Sequence, residues 1–313
     1  MTDETPRRAR SIAEMQQLQG RMFRPEQISA GIKAYRPRPT DVIISPSGKS
    51  GTTWLQQTFH TLRTRGDMDF DDISRVVPWI ETSAALGLDI NAEQRAAPRG
   101  FKSHMGYDVI PKGARYVVSL RDPRDVLVSM HRFMEGWYLE PGAVTVAEFA
   151  QGMLSGRPGD YWSHLASWWA ERDNPDVLLL SYEHMSAAPE LHIRKLAAFC
   201  GIPLDEDLLA LTLERSALAY MLAHKDRFDD AMMRQASERL SSLPPGSDSS
   251  KVRRGKVGSH RDELDAEMAA KLNTKWTELI TPRFGFADYA ALEAELRRRN
   301  TGSDPVQTRP AVR

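Results

Sequence analysis

The stretch that most constrains this chain is a short apolar run followed by a loop of small residues and then a helix. The Val-Ile-Ile run at 42–44 is short, apolar and β-branched, which is typical of a buried strand. Residues 45–51 supply turn formers, and the chain from Thr52 onward has a helical pattern. This order directs backbone N–H groups and the helix dipole at one point, with the cation of Lys49 among them. The stretch therefore predicts a phosphate-binding loop.

Composition limits the class of protein. The chain has 313 residues, enough for a substantial core, and Lys+Arg and Asp+Glu are both 42. No overall field attracts nucleic acid, so an anion site must come from a local concentration of positive charge. Cys200 is the single cysteine, which excludes an internal disulfide, and its apolar helix predicts a buried thiol. With no secretory signal and no apolar run near the roughly 18–20 residues that span a bilayer, we expect a soluble cytoplasmic protein without a transmembrane segment.

Strand and helix patterns alternate along the chain. The sequence predicts strands at 42–44, 100–104, 114–120 and 177–181, and helices from 52, from 123 with Asp122 as cap, and at 161–172, 189–200, 207–223, 262–279 and 287–299. This order predicts an α/β class: a P-loop-like three-layer fold with a central parallel β-sheet flanked by helices. Ligands are expected at the carboxyl ends of the strands.

The chain shows no internal repeat and no sharp change of composition. Residues 1–35 are charged, with a weak helical pattern around Ile12, and we expect a partly flexible N-terminal arm. Residues 36–300 form one predicted domain, and residues 301–313 a disordered tail. Pro244, Pro245 and Gly246 among serines predict a mobile loop at 241–250. Whether a lid near 220–250 orders on binding, and whether a loop touches a membrane surface, stays open.

The sequence does not fit a nucleoside-triphosphate loop. That motif needs a glycine five residues before Gly48-Lys49-Ser50, and Ile43 stands there, inside the strand. The residues present are Lys49, Ser50, Gly51, Thr52, Thr53 and Trp54. Here the chain resembles the cytosolic-type sulfotransferases that use 3′-phosphoadenosine 5′-phosphosulfate (PAPS). Their first signature is Pro-Lys-Ser-Gly-Thr-Thr-Trp, and Gly48 takes the place of its proline.

Further segments resemble the same family in the family's order. The second signature is similar to Arg121–Ser129, and the third to Arg253-Arg254-Gly255 followed by Gly258. The resemblance implies that Arg121 and Ser129 hold the 3′-phosphate and that the third signature adds contacts to it. It also implies that Tyr182 and Ser216 lie near the adenine, while the N–H groups of residues 50–53 hold the 5′-phosphate.

The same resemblance assigns the chemistry. His104 matches the histidine that deprotonates the acceptor, and an imidazole with a near-neutral pKa suits that task. Lys49 is expected to stabilise the oxygen between phosphate and sulfate, and Lys102 is a second candidate for that charge. PAPS is then the co-substrate and adenosine 3′,5′-bisphosphate (PAP) the product. No metal is expected, because the carboxylates show no ligand spacing and lysines and arginines can supply the positive charge.

Each of these residues also has a structural interpretation. Arg121 presents a planar fork suited to phosphate, yet it could pair with Asp125 instead. Arg253-Arg254 could close over a dianion or be a solvated basic run. Trp54 could stack on a purine or belong to the core. These alternatives stay open at the level of sequence.

The acceptor side is less constrained. Apolar residues at 76–80, 105–107, 133–138 and 221–233 either line a pocket or belong to the core. A pocket there would take a hydrophobic alcohol, phenol or lipid-like glycoside. Arg261, Asp265 and Ala266 fall near positions where the family's dimerisation pattern has other residues, so the oligomeric state stays open. A P-loop nucleoside or small-molecule kinase and a non-catalytic nucleotide-binding protein are the alternative functions.

Overall fold

The fold is built on four parallel strands. The computed structural model describes residues 6–156, 159–249, 251–253 and 255–302. The strands are β1 (Val42–Ile44), β2 (Gly100–Lys102), β3 (Arg115–Leu120) and β4 (Val177–Ser181), in the spatial order β2-β1-β3-β4. All three strand pairings are parallel, with Ile43 opposite both Phe101 and Tyr116. The predicted α/β class with a central parallel sheet is confirmed.

Helices cover both faces of the sheet, which is why its strands are apolar throughout. On one face, Ile43, Val118 and Leu179 pack in a core that includes the tryptophans of the helix after residue 160. On the other face, side chains such as Ile44 and Leu180 pack in a second core that receives the helix after the first strand. Each strand is therefore fixed from above and below, and its carboxyl end is held rigidly.

The helices are, in chain order, α1 (Ile12–Met22), α2 (Pro25–Ala34), α3 (Thr52–Thr64), α4 (Ile73–Val76), α5 (Pro123–Glu135), α6 (Val146–Leu154), α7 (Tyr161–Ala170), α8 (Tyr182–Ala187), α9 (Pro189–Cys200), α10 (Glu206–Ser216), α11 (Leu218–Ala223), α12 (Ala231–Ser241), α13 (Ala266–Leu279), α14 (Thr281–Phe284) and α15 (Tyr289–Thr301). Short 3₁₀ turns lie at Ile80–Thr82, Lys225–Phe228 and Ser259–Asp262. The expected cap of α5 is present, because the Asp122 carboxylate accepts from the Arg124 N–H. Cys200 is buried, as expected.

The sequence prediction lacks several helices of the structure (α2, α4, α6, α8, α12 and α14), and it places one helix where the structure has two. The helix predicted over 207–223 is broken at Ala217, whose extended backbone (φ −64°, ψ 144°) separates α10 from α11. The helix α12 was not predicted; its buried side chains, Met233 among them, pack in the same cluster as Met15 and Met22 of α1. Neither change is marked by a proline or a glycine at the point where it occurs.

The first part of the chain is helical where the structure describes it. Met15 and Met22 of α1 are buried, and Ala9 forms a parallel bridge with Leu139. The division into an arm, one domain at 36–300 and a tail remains a prediction, and residues 303–313 of that tail lie outside the described residues. Within the described ranges, no helix is long and apolar enough to cross a membrane.

Candidate active site

The carboxyl ends of the four strands open into one cavity of about 810 Å³. The loop after β1 contributes Lys49, β2 and the turn after it contribute Lys102 and His104, and the ends of β3 and β4 lead to Arg121 and Tyr182. Because parallel strands place all their carboxyl ends at one edge, side chains distant in sequence meet here. The volume is in the range of small-molecule sites.

The loop between β1 and α3 holds unusual backbone conformations. Lys49 has φ 65° and Gly51 has φ 101°, both in the left-handed region. For Lys49 this conformation costs energy, and such strain is concentrated at functional sites. A Cβ at Gly51 would stand 2.9 Å from Cδ2 of Tyr182, so glycine is required for the loop to approach that ring. The loop is thereby turned toward the cavity.

The start of α3 fits an anion. No side chain caps this helix, and its N-cap is Gly51. The first N–H groups of a helix have no intrahelical acceptor, so those of Thr52 and Thr53 remain to be satisfied. The buried hydroxyl of Thr52, which lines the cavity, has no hydrogen-bond partner among the described residues. Orphaned donors around a helix N-terminus are what a bound phosphate would satisfy.

Ser50 differs from the other predicted loop residues. Its backbone N–H donates to the Ser47 carbonyl at 3.1 Å, and its own carbonyl accepts from the Ser119 hydroxyl. Ser50 is buried and does not line the cavity. The N–H that the sequence prediction assigned to the 5′-phosphate is engaged inside the loop.

Lys49 is the central cation of the cavity. Its Nζ lies 4.4 Å from the centroid of the Phe133 ring and 3.5 Å from the Lys251 carbonyl oxygen. Burial, together with the neighbouring charges of Lys251 and Arg121, lowers the pKa of Lys49 to about 7. A dianion beside this ammonium would favour its protonated form.

Arg121 lies next to the Lys49 backbone, at the start of the turn from β3 into α5. Its guanidinium stands 4.1 Å above the Tyr182 ring, and its Nη1 donates to the Lys49 carbonyl at 2.9 Å. The nearest atoms of Arg121 and Asp125 are 4.0 Å apart, at the limit of an ion pair. Asp125 itself accepts from the Gly258 N–H at 2.7 Å and from His260. The buried Nε of Arg121 has no partner among the described residues.

The remaining predicted binding residues surround these two cations. Trp54 lies edge-on to Tyr182, with ring centroids 5.8 Å apart. The cavity lining also includes Thr52, Thr53, Ser129, Ser216, Arg253 and Gly255. The Ser216 hydroxyl is already engaged, because it donates to the Thr212 carbonyl at 2.6 Å. Arg254 lies outside the described residues.

One ring nitrogen of His104 is held by a hydrogen bond to the backbone. Its Nδ1 lies 2.8 Å from the carbonyl oxygen of Pro46. A carbonyl can only accept, so Nδ1 carries the hydrogen and the lone pair is on Nε2. Burial and the charge of Lys102 lower the pKa of His104 to about 3. The imidazole is therefore neutral near pH 7, and its Nε2 makes no hydrogen bond to the residues described. This pKa lies well below the near-neutral value expected from the sequence, because burial and the charge of Lys102 disfavour the protonated ring.

A buried acid and an aromatic ring orient this histidine. The Glu81 carboxylate accepts from the His104 backbone N–H at 2.7 Å and from the Ser103 hydroxyl at 3.1 Å. The Trp79 ring packs edge-on to the imidazole with centroids 5.1 Å apart. Sequence reasoning did not single out Glu81, which lies far from His104 along the chain. These contacts fix the ring without using its Nε2.

Lys102 points into the same region with two partners. Its Nζ lies 3.3 Å from the Asp230 carboxylate and 4.1 Å from the centroid of the Trp79 ring. Burial lowers the pKa of Lys102 to about 8, although the charge of Asp230 acts in the opposite direction. Asp230 also contacts Lys251, and both residues line the cavity. Neither was predicted from the sequence.

An apolar wall completes the cavity on the side of His104. Four of the residues at 133–138 line it (Phe133, Met134, Trp137 and Tyr138), and Phe23 from the end of α1 contributes as well. From the stretch at 76–80 only Trp79 reaches the cavity, and the buried Val76, Val77 and Ile80 belong to the cores. Met221 lines the cavity, whereas Met233 is packed against α1. Among the described residues, no cluster of three or more His, Cys, Asp or Glu side chains could hold a metal ion.

Comparison with known proteins agrees with this geometry. The family model "Sulfotransferase domain" matches residues 39–281. Human sulfotransferase 1C2 is 22% identical over 266 residues, which covers 80% of this chain and 87% of that protein. Mouse sulfotransferase 1B1 is 28% identical over 204 residues, which covers 61% of this chain and 68% of that protein.

Solved structures show the same fold. A retinol dehydratase in complex with androsterone and the inactive cofactor PAP has a TM-score of 0.67 at 21% identity, over 87% of this chain and 94% of that chain. Mouse sulfotransferase SULT7A1 complexed with PAP has a TM-score of 0.65 at 20% identity, over 88% of this chain and 95% of that chain. The family match spans the strands, the loop and the cavity described above. The chain belongs to the sulfotransferase family.

Proposed function

We propose that this protein transfers the sulfuryl group of PAPS to a hydroxyl or amine of a small apolar acceptor, by in-line displacement with His104 as base. One observation carries the proposal: a single cavity joins an orphaned anion cradle at Lys49, a second cation at Arg121 and a neutral imidazole with a free Nε2. A nucleotide with phosphates at both ends matches the two cationic sites. The PAP found in two structural neighbours supports the same assignment.

The donor nucleotide would be held at three places. The N–H groups of Thr52, Thr53 and Trp54, with Lys49, hold the 5′-phosphosulfate. Arg121 and Ser129 hold the 3′-phosphate, with Arg253 and the third signature beside them. The rings of Trp54 and Tyr182 pack on the adenine, with Ser216 near its edge. Arg254 and Gly255 belong to the same proposed contact, by the resemblance alone.

The chain's own groups then perform the transfer. His104 accepts the acceptor's proton at Nε2 as the acceptor oxygen or nitrogen forms its bond to sulfur. Lys49 stabilises the negative charge on the phosphate oxygen as the sulfur–oxygen bond breaks, and Lys102 stabilises the group in transit. The Pro46 carbonyl keeps the imidazole in the tautomer that can accept, and Glu81 holds the backbone N–H of His104. The positive charge comes from lysines and arginines, and no metal is assigned a role.

The acceptor is proposed to be an apolar alcohol, phenol or lipid-like molecule. The wall beside His104 is formed by Phe23, Trp79, Phe133, Trp137 and Tyr138, which offer apolar surface and few charges. Retinol and androsterone occur in the complexes of the structural neighbours, and both are small apolar molecules. An acceptor screen with labelled donor would name the compound.

Calorimetry tests the donor assignment. We expect tight, metal-independent binding of PAP and weak binding of ATP–Mg²⁺. Arg121→Ala should lower the affinity for PAP about tenfold to a hundredfold, because a charged hydrogen bond contributes roughly 1.5–3 kcal/mol. Arg65→Ala is the matched control, since Arg65 is an exposed partner of Asp205 away from the cavity. A preference for ATP–Mg²⁺, or equal PAP binding by the Arg121 variant, would contradict the assignment.

A further inference from the structure

A buried charge cluster lies on the cavity wall beside His104. Lys102 and Lys251 both contact the same oxygen of Asp230, with Nζ to Oδ2 distances of 3.3 Å and 2.6 Å. The Asp230 and Lys102 side chains are almost completely buried, and the Lys251 side chain is only 9% exposed. All three residues line the cavity. Two ammonium groups therefore share one carboxylate at the place where sulfuryl transfer is proposed.

Asp230 is fixed independently of the two lysines. Its backbone has φ 50°, in the left-handed region, at the start of α12. Its Oδ1 accepts from the Ser74 hydroxyl at 3.0 Å. Behind it, the Asp72 carboxylate caps α4 and accepts from the Met232 N–H at 3.0 Å. The carboxylate is thus held between α4 and α12, and it sets the positions of the ammonium groups that contact it.

Lys251 gives the cluster of Lys102, Lys251 and Asp230 a net positive charge. Asp230 and Lys102 alone would cancel, and this wall would offer no net attraction to an anion. Burial and the charge of Asp230 raise the pKa of Asp72 behind them, which favours its neutral form. Lys251 restores one positive charge next to Lys49, whose ammonium lies 3.5 Å from the Lys251 carbonyl oxygen. A purely structural ion pair would need one lysine, and the second would only add a desolvation cost. Lys251 lines the cavity, and its buried Nζ makes no hydrogen bond to the described residues beyond its ion-pair contact with Asp230.

We propose that Lys251 is a third lysine of the transfer site, which binds the sulfuryl end of the donor, and that Asp230 is the positioning residue for Lys102 and Lys251. The donor's oxygens take up ammonium N–H groups that Asp230 leaves unused, since each ammonium has three donors. This inference rests on the proposed function, because it names how that site holds the donor. It adds Lys251 and Asp230 to the residues that the family signatures assign.

Comparing two nucleotides in one variant tests Lys251. Lys251→Met keeps a long unbranched side chain and removes the charge, so we expect PAPS to bind about tenfold more weakly while PAP changes much less. Lys225→Met is the control: Lys225 pairs with Asp248 at the exposed surface, and both nucleotides should bind it as they bind wild type. Equal weakening of PAPS and PAP, or no weakening, would overturn the proposal. Failure of wild type to bind PAP would instead refute the proposed function itself.

The pH dependence of PAPS binding tests Asp230. Five groups set the charge around Lys102: Asp230, Lys251 and Asp72 on the wall, and Lys49 and His104 on the neighbouring elements. The affinity of wild type for PAPS should fall as pH rises through about 7, where Lys49 loses its charge, and again through about 8, where Lys102 loses its charge although Asp230 favours the protonated form. Asp230→Asn keeps a residue that tolerates positive φ and should move the second fall to lower pH by about one unit. Asp230→Glu should restore part of the wild-type pH dependence. A pH profile unchanged by Asp230→Asn would refute the positioning role.

Discussion

At the scale of single residues, the same burial prepares His104 and the lysines for different tasks. Burial keeps His104 neutral, so its Nε2 is unprotonated near pH 7, and the Pro46 carbonyl selects that tautomer. Burial also lowers the pKa of Lys49 to about 7, which makes its protonation depend on a nearby anion. One cavity can therefore hold an unprotonated histidine together with lysines that are protonated when an anion is bound.

Replacing His104 separates chemistry from binding. His104→Ala should reduce transfer at least a hundredfold, as expected for the loss of a general base, and leave PAP affinity within a factor of about two. Transfer of labelled sulfuryl to the best acceptor of a screen measures the first, and calorimetry the second. His224→Ala is the control, because His224 bonds only its own helix, at the Tyr220 carbonyl. Undiminished turnover in the His104 variant would mean that the base is elsewhere.

Sequence reasoning reached some of these residues and not others, for a physical reason. Arg121 follows β3 directly, and Lys49 and His104 lie in the loops after β1 and β2, so their convergence follows from a parallel sheet. Asp230 lies 128 positions from Lys102, and no periodicity connects a residue at the start of α12 to a strand end. Lys251 lies just before the third signature, but its contact with the Asp230 carboxylate cannot be read from the sequence.

At the scale of elements, the α3 terminus depends on one glycine. Gly51→Ala would place a Cβ 2.9 Å from Tyr182 and 3.2 Å from the Ser119 hydroxyl, at φ 101°. We expect a loss of about 1–2 kcal/mol in the free energy of unfolding and a loss of PAP affinity as the Tyr182 ring moves. Denaturant unfolding and calorimetry measure the two effects.

The control for this change is Gly152→Ala, in the exposed helix α6, where an added Cβ meets nothing within 4 Å. There the free energy of unfolding should rise by about 0.5–1 kcal/mol, because alanine favours a helix. A Gly51 variant as stable as wild type and with equal PAP affinity would show that the loop does not need this approach.

Elements with local signals were predictable, and those decided by tertiary packing were not. The strand at 177–181 is a continuous apolar run, and α5 starts with Asp122 and Pro123, so both were found. The break at Ala217 has no local cause in the sequence. The helix α12 has a buried face because α1 covers it, and this partner is more than 200 residues away. Local patterns carry no information about such a partner.

At the scale of the whole molecule, the cavity is assembled from the full length of the described chain. Its walls include Phe23 near the start, Trp79 and Trp137 in the middle, and Lys256 and Ser259 near the end. The donor part is formed by strand ends and the loop after β1, whereas the apolar part is formed by α1 and the end of α5. The two halves of the reaction are thus served by different regions of the fold.

Phe23→Ala tests this division. The Phe23 ring packs against Trp79 with centroids 5.9 Å apart and lines the apolar wall. Removing it should raise the KM for an apolar acceptor about tenfold, since a buried phenyl group contributes roughly 1.5 kcal/mol or more. The KM for PAPS serves as the internal control and should not change. A parallel rise in both KM values would mean that α1 supports the whole cavity rather than the acceptor alone.

The distribution of the cavity lining along the chain links ligand binding to folding. A partly unfolded chain that has lost the segment before Ser259 lacks part of the donor site, so the nucleotide binds the native state and not this form. By mass action, ligand at a hundred times its Kd would then stabilise that state by about 2.7 kcal/mol. The co-substrate would thus favour whole, correctly folded copies of the enzyme over damaged ones, so its supply would govern how long each copy survives.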